Sequence, residues 1–158
     1  VLLSGLNHVA LLTNDTDRLV SFYDEVFGAP AEPVEQQDGF RMTVIHLGDA
    51  AELNVFQIEG NDEADRQVPM FGRGRLDHLA LQAASLESFS TIRDRLVERG
   101  ASDGFVTDFG PLLSVFFRDP DGLEAEVCVG NPDGRPGQFN APGTPARQFH
   151  PDGEGPPG

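Results

Sequence analysis

A mixed apolar and polar run opens the chain: Leu6, Asn7, His8, Val9, Ala10 and Leu11 follow Gly5 as a strand-like stretch. The pattern returns at Leu76, Asp77, His78, Leu79, Ala80 and Leu81 after Arg75, with histidine in the same slot. Each stretch is followed by a helix signal. Asn14 or Asp15 caps a stripe of Leu19, Val20, Phe22, Tyr23, Val26 and Phe27 that stops at Gly28. Ser85 caps a second stripe of Leu86, Phe89, Ile92, Leu96 and Val97 that stops at Gly100.

Strand material follows each helix. The first half gives residues 40–47, a turn at Gly48-Asp49, and residues 52–58. The second gives residues 112–118, a turn at Asp119-Pro120-Asp121-Gly122, and residues 124–129. In that second turn proline presets φ, aspartate closes a side-chain turn, and glycine accepts a positive φ. The chain therefore reads as a duplicated β-α-β-β(-β) unit. Module one spans about 5–60 and module two about 75–130, with a polar, glycine-containing linker over 60–74. From Gly130 onward the periodicity vanishes, and 14 of 29 residues are Gly or Pro. Residues 131–158 are expected to form an extended or partly disordered tail anchored by Phe139 and Phe149.

Composition narrows the function classes. The 158 residues carry 26 acidic and 11 basic side chains, a formal net charge of −15, and every base is an arginine. Nucleic acid and anionic membrane surfaces both demand a basic face, so neither is an expected partner. No apolar run approaches the roughly 18–20 residues that span a bilayer. The single cysteine, Cys128, excludes an internal disulfide framework. With no basic-then-apolar leader visible, a cytoplasmic setting is expected.

The chemistry concentrates in the repeat. His8 shares a strand face with Ala10 and Leu12, and His78 shares one with Ala80 and Gln82. Histidines in matched slots of a duplicated fold approach one pseudo-symmetry axis, where two imidazoles suit a metal. Superposing the turns, Asp49 on Asp121, sets Asn54 opposite Glu126. Glu126 lies among Ala125, Val127 and Cys128, where an unpaired carboxylate would be costly; a metal held by the two histidines supplies the missing cation.

These features resemble the vicinal-oxygen-chelate superfamily, which includes glyoxalase I, extradiol dioxygenases, fosfomycin-resistance enzymes and bleomycin-binding proteins. The resemblance covers roughly residues 5 to 130. It rests on Leu6-Asn7-His8-Val9-Ala10, Phe22-Tyr23-Asp24-Glu25-Val26-Phe27-Gly28, Leu76-Asp77-His78-Leu79-Ala80, and Phe117-Arg118-Asp119-Pro120-Asp121-Gly122 running to Glu126. It implies an α+β fold in which two βαβββ modules pair their sheets into a metal-binding cup. The four ligand slots then hold His8, Asn54, His78 and Glu126, three good donors and one weak amide. That set suits Fe(II) or Mn(II), with Zn(II) or Ni(II) also compatible.

The resemblance orders the reactions. The filled slots match type I extradiol dioxygenases, so a dioxygenase acting on an aromatic or vicinal-diol-like substrate is the leading expectation. Phe116 stands where those enzymes usually carry a tyrosine, and His46 is the candidate for a nearby acid–base group. A metal-dependent lyase or thiol transferase is the first alternative. Asn54 lacks the basicity that glyoxalase I needs in that slot, and Arg18, Arg41, Arg73, Arg75 and Arg118 form no cluster suited to a phosphonate. A metal-free antibiotic-binding protein is the second alternative, in keeping with the acidic charge. Ala10, Leu12, Met42, Val44, Phe56, Ala80, Gln82, Ser114 and Phe116 are the expected cup lining, for a small-molecule substrate. A homodimer is the expected assembly. If the matched histidines are ligands, His78→Ala abolishes stoichiometric metal binding, measured by metal analysis after desalting; retained full affinity would remove the set.

Overall fold

A computed structural model describes residue 2, residues 5–135, residues 146–151 and residue 153. The chain forms two compact units. Residues 1–68 and 120–122 make the first; residues 69–119 and 123–158 make the second.

In the first unit, β1 (His8–Leu12) leads into α1 (Thr16–Phe27), followed by β2 (Ala31–Gln37), β3 (Phe40–Leu47) and β4 (Ala51–Ile58). The four strands order as β1-β4-β3-β2, with β1 parallel to β4 and the other neighbours antiparallel. Asp15 caps α1, its carboxylate accepting the Arg18 N–H at 3.0 Å. Gly28 ends the helix at φ 65°, where a Cβ would be strained, and its N–H reaches the Asp24 carbonyl at 2.8 Å. The helix buries Leu19, Phe22, Tyr23 and Val26, and the sheet buries Ile45, Leu53 and Val55. Each such apolar side chain stabilises by roughly 1.5–3 kcal/mol.

The second unit repeats the plan. β5 (Leu79–Gln82), α2 (Leu86–Glu98), β6 (Val106–Asp108), β7 (Leu112–Arg118) and β8 (Glu124–Gly130) give a sheet ordered β5-β8-β7-β6, with β5 parallel to β8. Ser85 caps α2 by accepting the Ser88 N–H at 3.0 Å. The core holds Phe89, Leu96, Val106, Val115, Phe117, Ala125 and Val127. Leu86 and Val97, expected in the helix stripe, are exposed, because the buried face centres on Phe89, Arg93 and Leu96.

Three details depart from the sequence reading. β2 reads Ala-Glu-Pro-Val-Glu-Gln-Gln and is almost wholly exposed; as an edge strand it has no apolar face to announce it. The Asp121 carboxylate also reaches beyond its turn: it accepts the Thr13 hydroxyl at 2.7 Å and pairs with Arg18 at 2.6 Å, both within the first unit. Asp119 makes a local bond, accepting the Leu123 N–H at 2.9 Å, while Gly122 takes its positive φ of 87°. Of the C-terminal segment, residues 136–145 with Phe139 lie outside the described residues. Beyond them β9 (Arg147–Phe149) pairs antiparallel with β6 and extends the second sheet, Phe149 opposite Val106. His150 then accepts a hydrogen bond at 2.8 Å from the buried Arg93.

Among the described residues no helix is long and apolar enough to cross a membrane. Truncation after Gly130 removes β9 and the acceptor on Arg93, a hydrogen bond to a charged group worth about 1.5–3 kcal/mol. The shortened chain is expected to melt cooperatively, roughly 5–10 °C lower by calorimetry. Loss of the cooperative transition would show that the segment completes the core.

Candidate metal centre

Parallel pairing sets up the site in each unit. Ala10 of β1 is in register with Asn54 of β4, and Ala80 of β5 is in register with Glu126 of β8. Asn54 and Glu126 therefore occupy equivalent positions, as the turn superposition predicts. Leu53 and Val55 are buried, as are Ala125 and Val127; Asn54 and Glu126 point to the opposite face of each sheet.

In the second unit His78, immediately before β5, brings Nε2 to 3.2 Å from Glu126 Oε1. The other carboxylate oxygen accepts the hydroxyl of the buried Ser114 at 2.5 Å. Behind the ring, His78 Nδ1 lies 2.7 Å from Asp77 Oδ2, so Nδ1–H donates to the carboxylate and Nε2 faces Glu126. Asp77 also accepts the Phe71 backbone N–H. The hydrogen bond to Asp77 and the nearby Glu126 charge raise the His78 pKa above the usual histidine value, against partial burial. The same imidazole hydrogen bond, helped by the Phe71 N–H, holds the Asp77 carboxyl below the usual range.

In the first unit the arrangement behind the ring recurs. His8 Nδ1 lies 2.7 Å from Asn7 Oδ1, an acceptor, so this imidazole also carries its proton on Nδ1 and turns Nε2 outward. Asn54 Oδ1 is buried without a hydrogen-bond partner, an orphaned acceptor in the fourth slot. Asn7 and Asp77 escape a search for ligands, since neither is one. Their signal is the polar residue directly before each histidine of the repeat.

The donors fit a divalent ion. Nitrogen and oxygen ligands at about 2.1 Å stand about 3.0 Å apart at a right angle and about 3.4 Å apart at a tetrahedral one. The 3.2 Å between His78 Nε2 and Glu126 Oε1 lies between these values. A carboxylate behind a ligating imidazole is the common outer-shell partner of such sites. Here the structure assembles His78, Glu126 and their supports Asp77 and Ser114; His8 and Asn54 belong to the first unit. Among the described residues no single group of three His, Cys, Asp or Glu is assembled to hold a metal.

The remaining predicted residues divide the same way. Register places Met42, Val44 and Phe56 on the Asn54 face of the first sheet. Ser114 and Phe116 lie on the Glu126 face of the second, with Gln82 two residues beyond Ala80 on β5. Phe116 also walls a cavity of about 450 Å³ with Met70, Ser102, Arg118 and Glu124. Cys128, opposite Ser114, is pushed up to about 11 by burial and the Glu126 charge, so its thiol stays protonated and is a poor ligand. His46 stands on the first sheet in register with Glu52.

Asp77→Ala is expected to weaken metal binding about 10–100-fold in a chelator competition. Asp77→Asn, which copies the Asn7 arrangement, is expected to lose less. Equal losses would show that the acceptor behind the ring does not matter.

Residues 5–127 match the Glyoxalase/Bleomycin resistance protein/Dioxygenase superfamily. A curated relative, 2-epi-5-epi-valiolone epimerase from an Actinomyces species, is 26% identical across 94% of this chain and 90% of its own length. Among solved structures, a glyoxalase/bleomycin resistance protein/dioxygenase domain from Frankia sp. EAN1pec superposes with a TM-score of 0.66 at 23% identity, covering 82% of this chain and 99% of that one. The fosfomycin resistance protein FosX of Listeria monocytogenes gives 0.58 at 18% identity, covering 85% and 97%. Lactoylglutathione lyase of Agrobacterium tumefaciens gives 0.54 at 24% identity, covering 82% and 96%. At these identities the likeness to the solved structures is one of fold, and the named activities differ among them. With the duplicated module and the matched profile in agreement, the chain belongs to the glyoxalase/bleomycin resistance protein/dioxygenase superfamily, whose members typically bind a divalent metal.

Proposed function

We propose that this protein is a divalent-metal-dependent epimerase of polyhydroxylated ketones, moving a proton at the carbon beside the carbonyl. The observation that carries the metal assignment is the buttressed pair: His78 Nε2 at 3.2 Å from Glu126 Oε1, each held from behind, by Asp77 and Ser114. His8, with the same outward Nε2, is assigned as the third ligand. The reaction class is supported by the epimerase that matches across nearly the whole chain.

The bound metal would supply Lewis acidity to a ketone oxygen and the hydroxyl beside it, making the intervening C–H more acidic. The chain supplies the rest. Asp77 and Ser114 fix the two donors so that little reorganisation is needed when substrate arrives. The orphaned Asn54 Oδ1 is suited to accept a substrate hydroxyl or to approach the metal. Met42, Val44 and Phe56, on the Asn54 face of the first sheet, would provide apolar surface that keeps water from the reacting carbon.

A dioxygenase is the second reading. It is favoured by Asn54, which leaves a two-histidine, one-carboxylate set of the kind that suits non-haem Fe(II). One experiment separates the two. Protein reconstituted anaerobically with Fe(II) or Mn(II) is incubated with 2-epi-5-epi-valiolone in D₂O, and separately with catechols in aerated buffer. The proposal predicts solvent deuterium at the carbon beside the carbonyl, a second epimer by NMR, and loss of both after chelation. Oxygen uptake with a catechol, and no exchange into the ketone, would replace it with the dioxygenase.

A further inference from the structure

His8 of the proposed metal set ends a row of titratable side chains on the first sheet, the rest of which the set leaves unused. On the face opposite α1, His46 of β3 is in register with Glu52 of β4, and Glu52 with His8 of β1. His46 Nδ1 lies 3.6 Å from Glu52 Oε1, and Nε2 lies 3.9 Å from Glu32 Oε2 on β2. Carboxylate, imidazole, carboxylate and imidazole thus alternate across four strands. Both contacts to His46 are longer than hydrogen bonds, so neither carboxylate ties up a ring nitrogen. Its side chain is 37% exposed, as is that of Glu52, whereas Glu32 is 76% exposed and opens to solvent.

Spacing puts this imidazole near the reaction. Neighbouring strands lie about 4.8 Å apart, so the His46 and His8 backbones are two strands, or about 10 Å, apart, with both side chains on one face. A ketone bound beside His8 would present its adjoining carbon on the face that His46 shares. Glu52 lies between them; Asn54, two residues further along β4, cannot accept a proton at neutral pH, so acid–base work on this face falls to the row that Glu52 and His46 form.

We propose that His46 is the residue that exchanges a proton with the substrate, oriented by Glu52 and connected to water through Glu32. This inference rests on the metal-dependent epimerase reading. The C–H bond beside the carbonyl breaks, and its proton goes to a ring nitrogen of His46. The electron pair moves into a new C=C bond, and the carbonyl oxygen takes the charge as an enediolate. His46 passes its proton to Glu32 and water. Water returns a proton to the opposite face of the carbon, the carbonyl re-forms, and no oxidant or reductant is consumed.

The test uses the full chain loaded with Mn(II), as wild type and as His46→Gln. Metal stoichiometry, the melting curve and calorimetric binding of 2-epi-5-epi-valiolone are measured alongside solvent-deuterium incorporation. The variant is expected to bind metal and ketone within twofold of wild type and to exchange about 10²–10⁴-fold more slowly, the span of a lost general acid–base group. Exchange within threefold of wild type overturns the role of His46, as does a loss that comes with loss of metal or ketone binding. If wild type itself neither binds nor exchanges the ketone, the underlying epimerase reading fails instead.

Discussion

Parallel pairing of the first and last long strands in each unit is the constraint on which the rest depends. Parallel neighbours cannot be joined by a tight turn, so a helix and further strands must fill the crossover. That is the order seen from β1 through α1, β2 and β3 to β4, and again from β5 to β8. The pairing sets each slot residue opposite the position two residues after the histidine, Asn54 opposite Ala10 and Glu126 opposite Ala80, and in the second unit it brings His78 to 3.2 Å from Glu126. The helix covers the other face, leaving these side chains on the surface that the core does not use. Fold and site are consequences of one hydrogen-bonding arrangement.

Much of this was legible in the residues because duplication doubles every signal. A strand histidine alone is ambiguous, whereas His8 and His78 in matched slots reinforce each other as candidate ligands, and the turn superposition equates Asn54 with Glu126 just as the strand registers do. The caps Asp15 and Ser85 and the stop at Gly28 follow from local chemistry. What was hidden lacks an apolar face or works at long range. β2 is polar and exposed, and β9 is three residues long and held by partners far along the chain. The Asp121 bonds to Thr13 and Arg18 join residues more than a hundred positions apart, which no local pattern reveals. Asp77 was in view beside His78, but its role became clear only when its carboxylate was found behind the ring.

The two units divide the chemistry unequally. The second holds a hard, buttressed nitrogen–oxygen pair with few degrees of freedom. The first holds an outward imidazole, an orphaned amide and a loosely held row of carboxylates and imidazoles. Rigid donors suit a metal, since coordination fixes distance and angle. Loosely held ionisable groups suit proton transfer, since the ring must gain and lose its charge in each turnover. On the proposed reading, Asn54 in the fourth slot leaves the acid–base work to another group on the same face.

The central claim is that His8, His78 and Glu126 share one divalent ion, and a crystal structure of the Mn(II)-loaded protein with anomalous scattering tests it most directly. The account predicts one anomalous peak with Nε2 of His8, Nε2 of His78 and a Glu126 oxygen each at about 2.0–2.3 Å, and Nδ1 of each ring still on Asn7 or Asp77. A peak elsewhere, coordination through Nδ1, or a site that lacks His8 would contradict it.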